Sequence, residues 1–325
     1  MVIADFDART TRHRAELLAH CYRMLGSIHD AEDLVQETML RAWRAADSFD
    51  ERRASLRTWL YRIATNACLT ALEQRGRRAL PSGLVGPSDT LHTAPVQKHH
   101  EIPWLEPIPD GLLGSDADDP AIVVAARSGI RLAFVAALQH LPARQRAVLI
   151  LRDVLAWSAA EVAELLDTSP AAVNSALQRA RAQLDKAAPM LDRMTETLSP
   201  GERALIDRYV AAFESADMRG LSEALREDAV LEMPPALMWF EGRRMILAFF
   251  DAKAAFCPGR SRWRALPVAA NTQPAAGFYR LDDADGVYRA HSIQVLTVQN
   301  DAIARITVFV DPGLFGRFGL PPTVA

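Results

Sequence analysis

The chain has 325 residues, half of them apolar and about a quarter charged, with 37 basic residues against 40 acidic ones. Two or three globular domains are expected from that length and composition. A net charge of −3 excludes a generally polycationic protein, and charged residues interrupt every apolar run well short of the ~18 needed to cross a membrane as a helix. In chain order, the N-terminus "MVIADFDARTTRHRAELL" has neither an apolar core nor a cleavage signal, so a cytoplasmic protein is expected. The next segment reads as all helix to about Leu80. In "SIHDAEDLVQETMLRAWRAA", Asp30 is the expected N-cap with Asp33 three residues on. Val35, Met39, Ala42, Trp43 and Ala46 form the expected buried stripe. "SFDERRA" is a polar loop. A helix restarts at Ser55, with Leu56, Leu60, Ile63 and Ala67 facing inward, and Gly76 is placed to stop it. Cys21, Cys68 and Cys257 are scattered and show neither disulfide nor zinc spacing, so buried reduced thiols are expected. No metal and no cofactor is expected.

From Pro81 to Ala126 the only Lys or Arg is Lys98, against seven acidic residues. From about Pro81 to Asp119 Pro, Gly, Ser and acidic residues dominate and no periodicity persists, which reads as a mostly extended linker. One apolar island, "IPWLEPIPDGLL", interrupts it, and docking of Trp104 and Leu105 onto a neighbouring domain is its simplest explanation. From about Ile130 to Leu191 the chain is helical again, with Pro142 at a helix start. Ser158 and Glu161 stand in capping-box spacing. The turn "DTS" leads to a second helix after Ser169. Two short helices joined by so tight a turn make the helix-turn-helix pattern.

On that second helix Val173, Leu177, Ala180 and Leu184 face inward. Asn174, Gln178 and Arg181 lie opposite, flanked by Ser175 and Arg179. Asn and Gln can pair bidentately with adenine and Arg with guanine in the major groove. Arg179, Arg181 and Lys186 suit phosphate contact. The first segment carries two more faces. Asp33, Glu37, Leu40 and Arg44 share one stripe, with Gln36 beside it, suited to a basic protein partner. Trp59, Arg62 and Asn66 share another, which either stacks on unpaired bases or, in the case of Trp59, packs in the core. Arg75, Arg77 and Arg78 end that helix with a basic cluster suited to phosphates.

From Ser199 the character becomes α+β. Ser199, Pro200 and Glu202 start a helix, and helices run to about Leu225. Strand-like runs follow at "AVLEM", "WRALPVAAN", "AAGFYRL", "VYRAHSIQVLTV" and "AIARITVFV", with "QNDA" as a hairpin between the last two. Trp239, His291, Tyr209, Glu232 and Asp311 are the candidate pocket residues of this part. A packed core explains them as well as a ligand site does, and His291 reads as a satisfied pocket histidine rather than a catalytic base.

"DAEDLVQETMLRAW", "LRTWLYRIATNAC", the acidic linker, "LPARQRAVLILRDVLAWSAAEVAELL" and "SPAAVNSALQRARAQL" together resemble a sigma-70-family RNA polymerase sigma factor of the extracytoplasmic-function type. The last third resembles the SnoaL-like, cone-shaped α+β domain of the NTF2-like superfamily, as in the sigma J and sigma G type. The resemblance implies a multidomain chain: two all-α DNA-binding domains, region 2 over 1–80 and region 4 over 129–192, joined by the 81–128 linker and followed by an α+β SnoaL-like domain over 199–325. It implies that Asp30, Asp33, Gln36, Glu37, Leu40 and Arg44 engage the β-prime clamp helices of core polymerase, with the β flap as a further partner. It assigns the −10 element to Phe49, Arg53, Trp59, Arg62, Asn66, Arg75, Arg77 and Arg78, and the −35 element to Ser169, Asn174, Ser175, Gln178, Arg179, Arg181 and Lys186. The linker would thread through the polymerase. The tail would contact the sigma domains and modulate them in place of a separate anti-sigma protein. No bond chemistry and no membrane contact is implied. The rival reading is a ligand-sensing helix-turn-helix regulator that binds duplex DNA without polymerase.

Overall fold

The computed structural model describes residues 3–74, 76–91, 97–114, 119–187, 200–252 and 262–324. The chain divides into two compact units, one of residues 1–78 with 110–193 and one of residues 79–109 with 194–325.

The first unit is helical. It contains α1 (Ile3–Thr11), α2 (Arg14–Leu25), α3 (Ile28–Arg44), α4 (Leu56–Gln74), α5 (Pro120–Arg127), α6 (Leu132–Leu138), α7 (Ala143–Leu149), α8 (Ala159–Leu165) and α9 (Pro170–Ala187). The N-cap of α3 is Ser27, whose hydroxyl accepts from the Asp30 amide, so Asp30 sits inside the first turn rather than capping it. Ser is as good a cap as Asp, and starting the helix at Ile28 buries that side chain. The buried side of α3 is Ile28, Ala31, Val35, Thr38 and Ala42. Trp43 departs from the expected stripe: it and Leu40 are each 54% exposed. Position 43 is one residue past Ala42, about 100° round the helix, so it cannot share that face.

Helix α4 begins where the Ser55 hydroxyl accepts from the Thr58 amide, and it buries Leu56, Leu60, Tyr61, Ala64, Ala67 and Cys68. The linker segment of 81–128 ends in a helix, since Pro120–Arg127, just past the stretch expected to be extended, is α5. Asp119 caps it and Pro120 sits in its first turn, where a missing N–H costs nothing. Ser158 and Glu161 complete a full capping box on α8, as their spacing requires. Ser169 accepts from the Ala172 amide at the head of α9.

The second unit is built on a seven-stranded mixed sheet. Its elements are α10 (Pro200–Glu214), α11 (Met218–Ala224), β1 (Leu225–Glu232), β2 (Trp239–Glu241), α12 (Arg243–Ala252), β3 (Trp263–Ala270), β4 (Gln273–Leu281), β5 (Tyr288–Gln299), β6 (Ala302–Phe309) and β7 (Thr323–Val324). The sheet order is β2-β1-β6-β5-β4-β3, with β7 on β5; β1 and β6 run parallel and the hairpins antiparallel. Asn300 and Asp301 both have positive φ in the β5–β6 turn, as do Asn271 and Thr272 between β3 and β4; this is the twist a two-residue hairpin needs. Leu205, Tyr209, Phe213, Phe240, Phe249, Phe250, Trp263 and Phe278 form an aromatic-rich core on the helix side of the sheet. Ser199, the expected N-cap of α10, lies outside the described residues, as do Cys257 and Arg75.

Residues 79–109 pack on this sheet domain. Ser82 donates to Glu232 at 2.9 Å. The Ser88 amide donates to the Trp239 carbonyl at 2.8 Å, and the His99 amide to that of Pro235 at 2.8 Å. Ile108 exchanges two hydrogen bonds with Asn271, amide to Oδ1 and carbonyl to amide. Trp104 and Leu105 are buried, with the Trp104 indole donating to the His99 carbonyl of the same segment, and Ile108 of the apolar island is the residue hydrogen-bonded to the sheet.

Candidate nucleic-acid and polymerase interface

Helix α9 separates its two sides cleanly. Val173, Leu177 and Ala180 are buried and Leu184 is half-buried, while Ser169, Asn174, Ser175, Gln178, Arg179, Arg181 and Lys186 are exposed. Arg179 donates to the Ser175 hydroxyl at 2.7 Å. Arg181 forms a fork on Asp153 at 2.7 and 2.8 Å, and this partner raises its already high pKa. The pair is exposed, so its net contribution to stability is small, and the guanidinium can exchange one anion for another. The outward row is therefore an amide, a hydroxyl, a second amide and three cations on one helix, the set needed to contact base edges and flanking phosphates.

On α3, Asp33, Gln36, Leu40 and Arg44 are exposed and Glu37, half-buried, pairs with Arg41 one turn on. Leu40 and Trp43 give this acidic surface an apolar centre. Asp30 is turned away from it and pairs with Arg78 at 2.6 Å. Trp43 is the residue that stripe counting misplaced. Its neighbour Leu40 was the available signal, since two large apolar side chains three residues apart on one face have a shared destination.

On α4, Arg62 and Asn66 are exposed and Trp59 is half-buried. The Trp59 ring lies 4.9 Å from that of Phe49 and 6.4 Å from that of Phe6. The two alternatives for Trp59 are thus both partly met: it packs, but against aromatic rings at the surface. Arg53 is exposed. Past the end of α4, exposed Arg77 donates to His140 Nδ1 at 2.9 Å, and half-buried Arg78 pairs with Asp30.

Beneath these faces lies a polar cluster that sequence patterning did not single out. The Glu16 carboxylate is fully buried and accepts from His13 (2.6 Å), Arg57 (2.8 Å) and Tyr61 (3.1 Å). Burial pushes its pKa up, but the hydrogen bonds of His13 and Arg57 and the charge of Arg57 outweigh it and hold the group below its ordinary value. His20 Nε2 meets the Thr65 hydroxyl at 2.9 Å. Burial, then the Arg23 charge, lowers its pKa to about 3, so the ring stays neutral. Charged residues inside apolar stripes, such as Glu16 and Arg23 in "RAELLAHCYRML", were the legible sign of such a cluster.

In the tail, the Trp239 indole donates to the Val85 carbonyl at 2.8 Å. The His291 ring lies edge-on to Trp263, centroids 5.0 Å apart, with Nδ1 3.1 Å from the Ser292 hydroxyl. Burial, then the charges of Arg280 and Lys98, lowers its pKa to about 4. Asp311 is not a pocket residue: it is exposed and caps the turn at Pro312–Phe318 through the Gly313 amide. Tyr209 donates to buried Gln294 at 2.8 Å inside the core. Glu232, fully buried, receives Ser82 and Arg305. Among the described residues no group of His, Cys, Asp or Glu is placed to hold a metal, and no single helix is long and apolar enough to cross a membrane.

A chain that combines a helix-turn-helix and a second helical module with an α+β domain has the architecture of a transcription factor with a fused accessory domain. Family profiles match in the same order: sigma-70 region 2 over residues 10–78, sigma-70 region 4 over 131–184 and a SnoaL-like domain over 206–306. The chain is 49% identical over 322 residues to the ECF RNA polymerase sigma factor SigG of Mycobacterium tuberculosis, covering 98% of this chain and 85% of that protein. It is 28% identical to SigJ of the same organism, covering 97% and 93%. The crystal structure of M. tuberculosis SigJ superposes with a TM-score of 0.62 at 25% identity, over 98% of this chain and 100% of that one. The chain belongs to the extracytoplasmic-function sigma factors of RNA polymerase, with sigma regions 2 and 4 followed by a SnoaL-like domain. That membership supports a polymerase-dependent initiation factor over an autonomous regulator, and sigma factors are non-catalytic regulatory proteins.

Proposed function

We propose that the outward row of α9 reads the −35 element and that the α4 surface with Phe49 opens and reads the −10 element, while α3 seats the protein on the polymerase core. Asn174 and Gln178 are the base-reading residues of α9, and Arg179, Arg181 and Lys186 hold phosphates. Arg181 does so by leaving Asp153. Trp59 and Phe49, half-buried with their rings tilted against each other, receive an unpaired base, with Arg62, Asn66 and Arg53 around it. Asp33, Gln36, Glu37, Leu40, Trp43 and Arg44 face the β-prime clamp helices, with Leu40 and Trp43 as the apolar anchor; region 4 meets the β flap. Asp30 and Arg78 act indirectly, by fixing the start of α3.

The single observation carrying this reading is the α9 face, exposed along its polar row while its opposite row is buried. In-vitro transcription with core polymerase and a promoter library tests it: selective run-off products are expected, and none from correctly folded protein would overturn it.

For the tail we propose a modulating role without turnover. Residues 79–109, which directly follow region 2, are hydrogen-bonded along the tail sheet, so the tail sets the freedom of the segment joining the two DNA-reading modules. His291 lies against Trp263 and Asp311 is spent on a cap, which leaves neither in the position of a catalytic base.

A further inference from the structure

Region 4 departs from regular helix directly beside its outward polar row. Helix α7 runs without a break into a single π turn, Ile150–Val154, in which the Leu155 amide donates to the Ile150 carbonyl at 3.0 Å. Such turns take in one extra residue, are rare, and concentrate at functional sites. On a regular helix, position 153 would follow Arg146 by seven residues and Leu149 by four, and so share their face. Both of those side chains are buried. The extra residue turns Asp153 outward instead, and its carboxylate reaches α9. There Arg181 spans both oxygens, Nε to Oδ2 at 2.8 Å and Nη2 to Oδ1 at 2.7 Å. The Asp153 and Arg181 side chains are 30% and 58% exposed. The other two cations of the row differ: Arg179 donates to a hydroxyl, and neither it nor Lys186 forms an ion pair among the described residues.

The fork occupies a paired-donor edge of the guanidinium, the kind of edge with which arginine grips a phosphate. A carboxylate there competes with DNA phosphates for the same donors. When Arg181 moves to a phosphate, Asp153 is left as an unpaired negative charge near the DNA backbone. Both costs are independent of base sequence. Asp153 therefore subtracts from the part of binding that phosphates supply and leaves base reading by Asn174 and Gln178 as it is. The chain's net charge of −3 offers bulk DNA no compensating general attraction.

We propose that Asp153 is a specificity-determining residue that restrains α9 from bulk DNA: it occupies Arg181, so that phosphate attraction alone holds region 4 weakly and base contacts decide where the protein binds. This rests on the DNA-facing role of α9 proposed above. The π turn is what makes the restraint possible, because it delivers an acid from the first helix of the motif to the outward row of the second.

The test titrates the full chain against two labelled duplexes, one a promoter identified by the library transcription above and one of scrambled sequence, and follows fluorescence anisotropy over a range of salt. Asp153→Asn keeps the shape and removes the charge. Circular dichroism and thermal unfolding establish that it is folded, and Asp153→Ser is the second variant if it is not. The free Asp153→Asn protein is expected to bind both duplexes about twofold to fivefold more tightly, the worth of an exposed pair, by the same factor on each. Its plot of log affinity against log salt is expected to steepen by about 0.9, one further phosphate. In an Arg181→Gln background the substitution is expected to lose most of that gain. Unchanged affinity and slope, weaker binding, or an equal gain without Arg181 would overturn the proposal. Arg179→Gln separates it from the role of α9 itself. If that variant weakens binding while Asp153→Asn changes nothing, only the role of Asp153 falls; if no variant alters binding by free protein or by holoenzyme, the DNA-facing role of α9 falls as well.

Discussion

Each compact unit buries one carboxylate completely against an arginine, and the two are wired differently. Glu16 takes its partners from α4 and from the residue preceding α2, so all of them belong to region 2. Glu232 takes one from its own sheet, Arg305, and one from the linker, Ser82, 150 positions away in the chain. The first cluster fixes the internal geometry of a domain. The second attaches a connecting segment to a domain. Identical chemistry therefore serves rigidity in one unit and tethering in the other, and what distinguishes them is where in the chain the second partner originates.

Removing each acid separates these roles. Glu16→Leu leaves Arg57 and His13 facing apolar surface, and region 2 is expected to lose about 3 kcal/mol, read by denaturant unfolding of the full chain. Glu232→Leu is expected to cost about 1 to 2 kcal/mol, because Arg305 is partly solvated and is screened there. Its main effect falls on hydrogen exchange, which accelerates over residues 80–88. Equal losses with no change in linker exchange would erase the contrast.

Acid pH sharpens the comparison. His20 titrates at about 3 in the fold and near 6.5 unfolded. Between those values the unfolded chain binds a proton that the native one refuses, so stability falls as pH drops below 6.5, by up to about 1.4 kcal/mol per unit. Glu16 adds to this further down: its lowered pKa gives stability that is complete above its unfolded value and is lost as pH falls through the folded one. His291, at about 4, repeats the His20 effect in the tail over a narrower window. Unfolding midpoints at pH 7, 6 and 5 should decline, and His20→Gln should flatten the decline for the helical unit alone.

At the interfaces the expected effects fall on promoter binding rather than on stability. Gln178→Ala should cost about 1 to 3 kcal/mol of discrimination at one −35 position. Lys186→Ala should weaken all promoters about equally and reduce the salt dependence of binding. Deleting the chain after about residue 198 should change run-off yield, because it removes the domain that holds the linker.

Much of this architecture was legible beforehand. The α9 faces followed from helical periodicity, the α8 box from Ser158 and Glu161, and the last two strands from β-branched enrichment. Burial of Trp104 followed from an apolar island in a polar segment. What failed had local causes. Ser27 outcompeted Asp30 as a cap because it let Ile28 reach the core. Trp43 was counted into a stripe it misses by one position. Asp311 satisfied a backbone amide instead of lining a pocket. Arg23 stood out as a charge inside an apolar stripe, but its acceptors did not: the carbonyls of Ala125, Ala126 and Ser128 lie more than 100 positions away, and carbonyls leave no trace in side-chain patterning.

The most direct test of the account is promoter-selective transcription by reconstituted holoenzyme, comparing the wild type with Asn174→Ala, Gln178→Ala. The wild type is expected to yield discrete run-off products from a subset of promoters, and the variant to lose them while still binding core with unchanged affinity. Equal product patterns from the two proteins would contradict the assignment of promoter reading to α9.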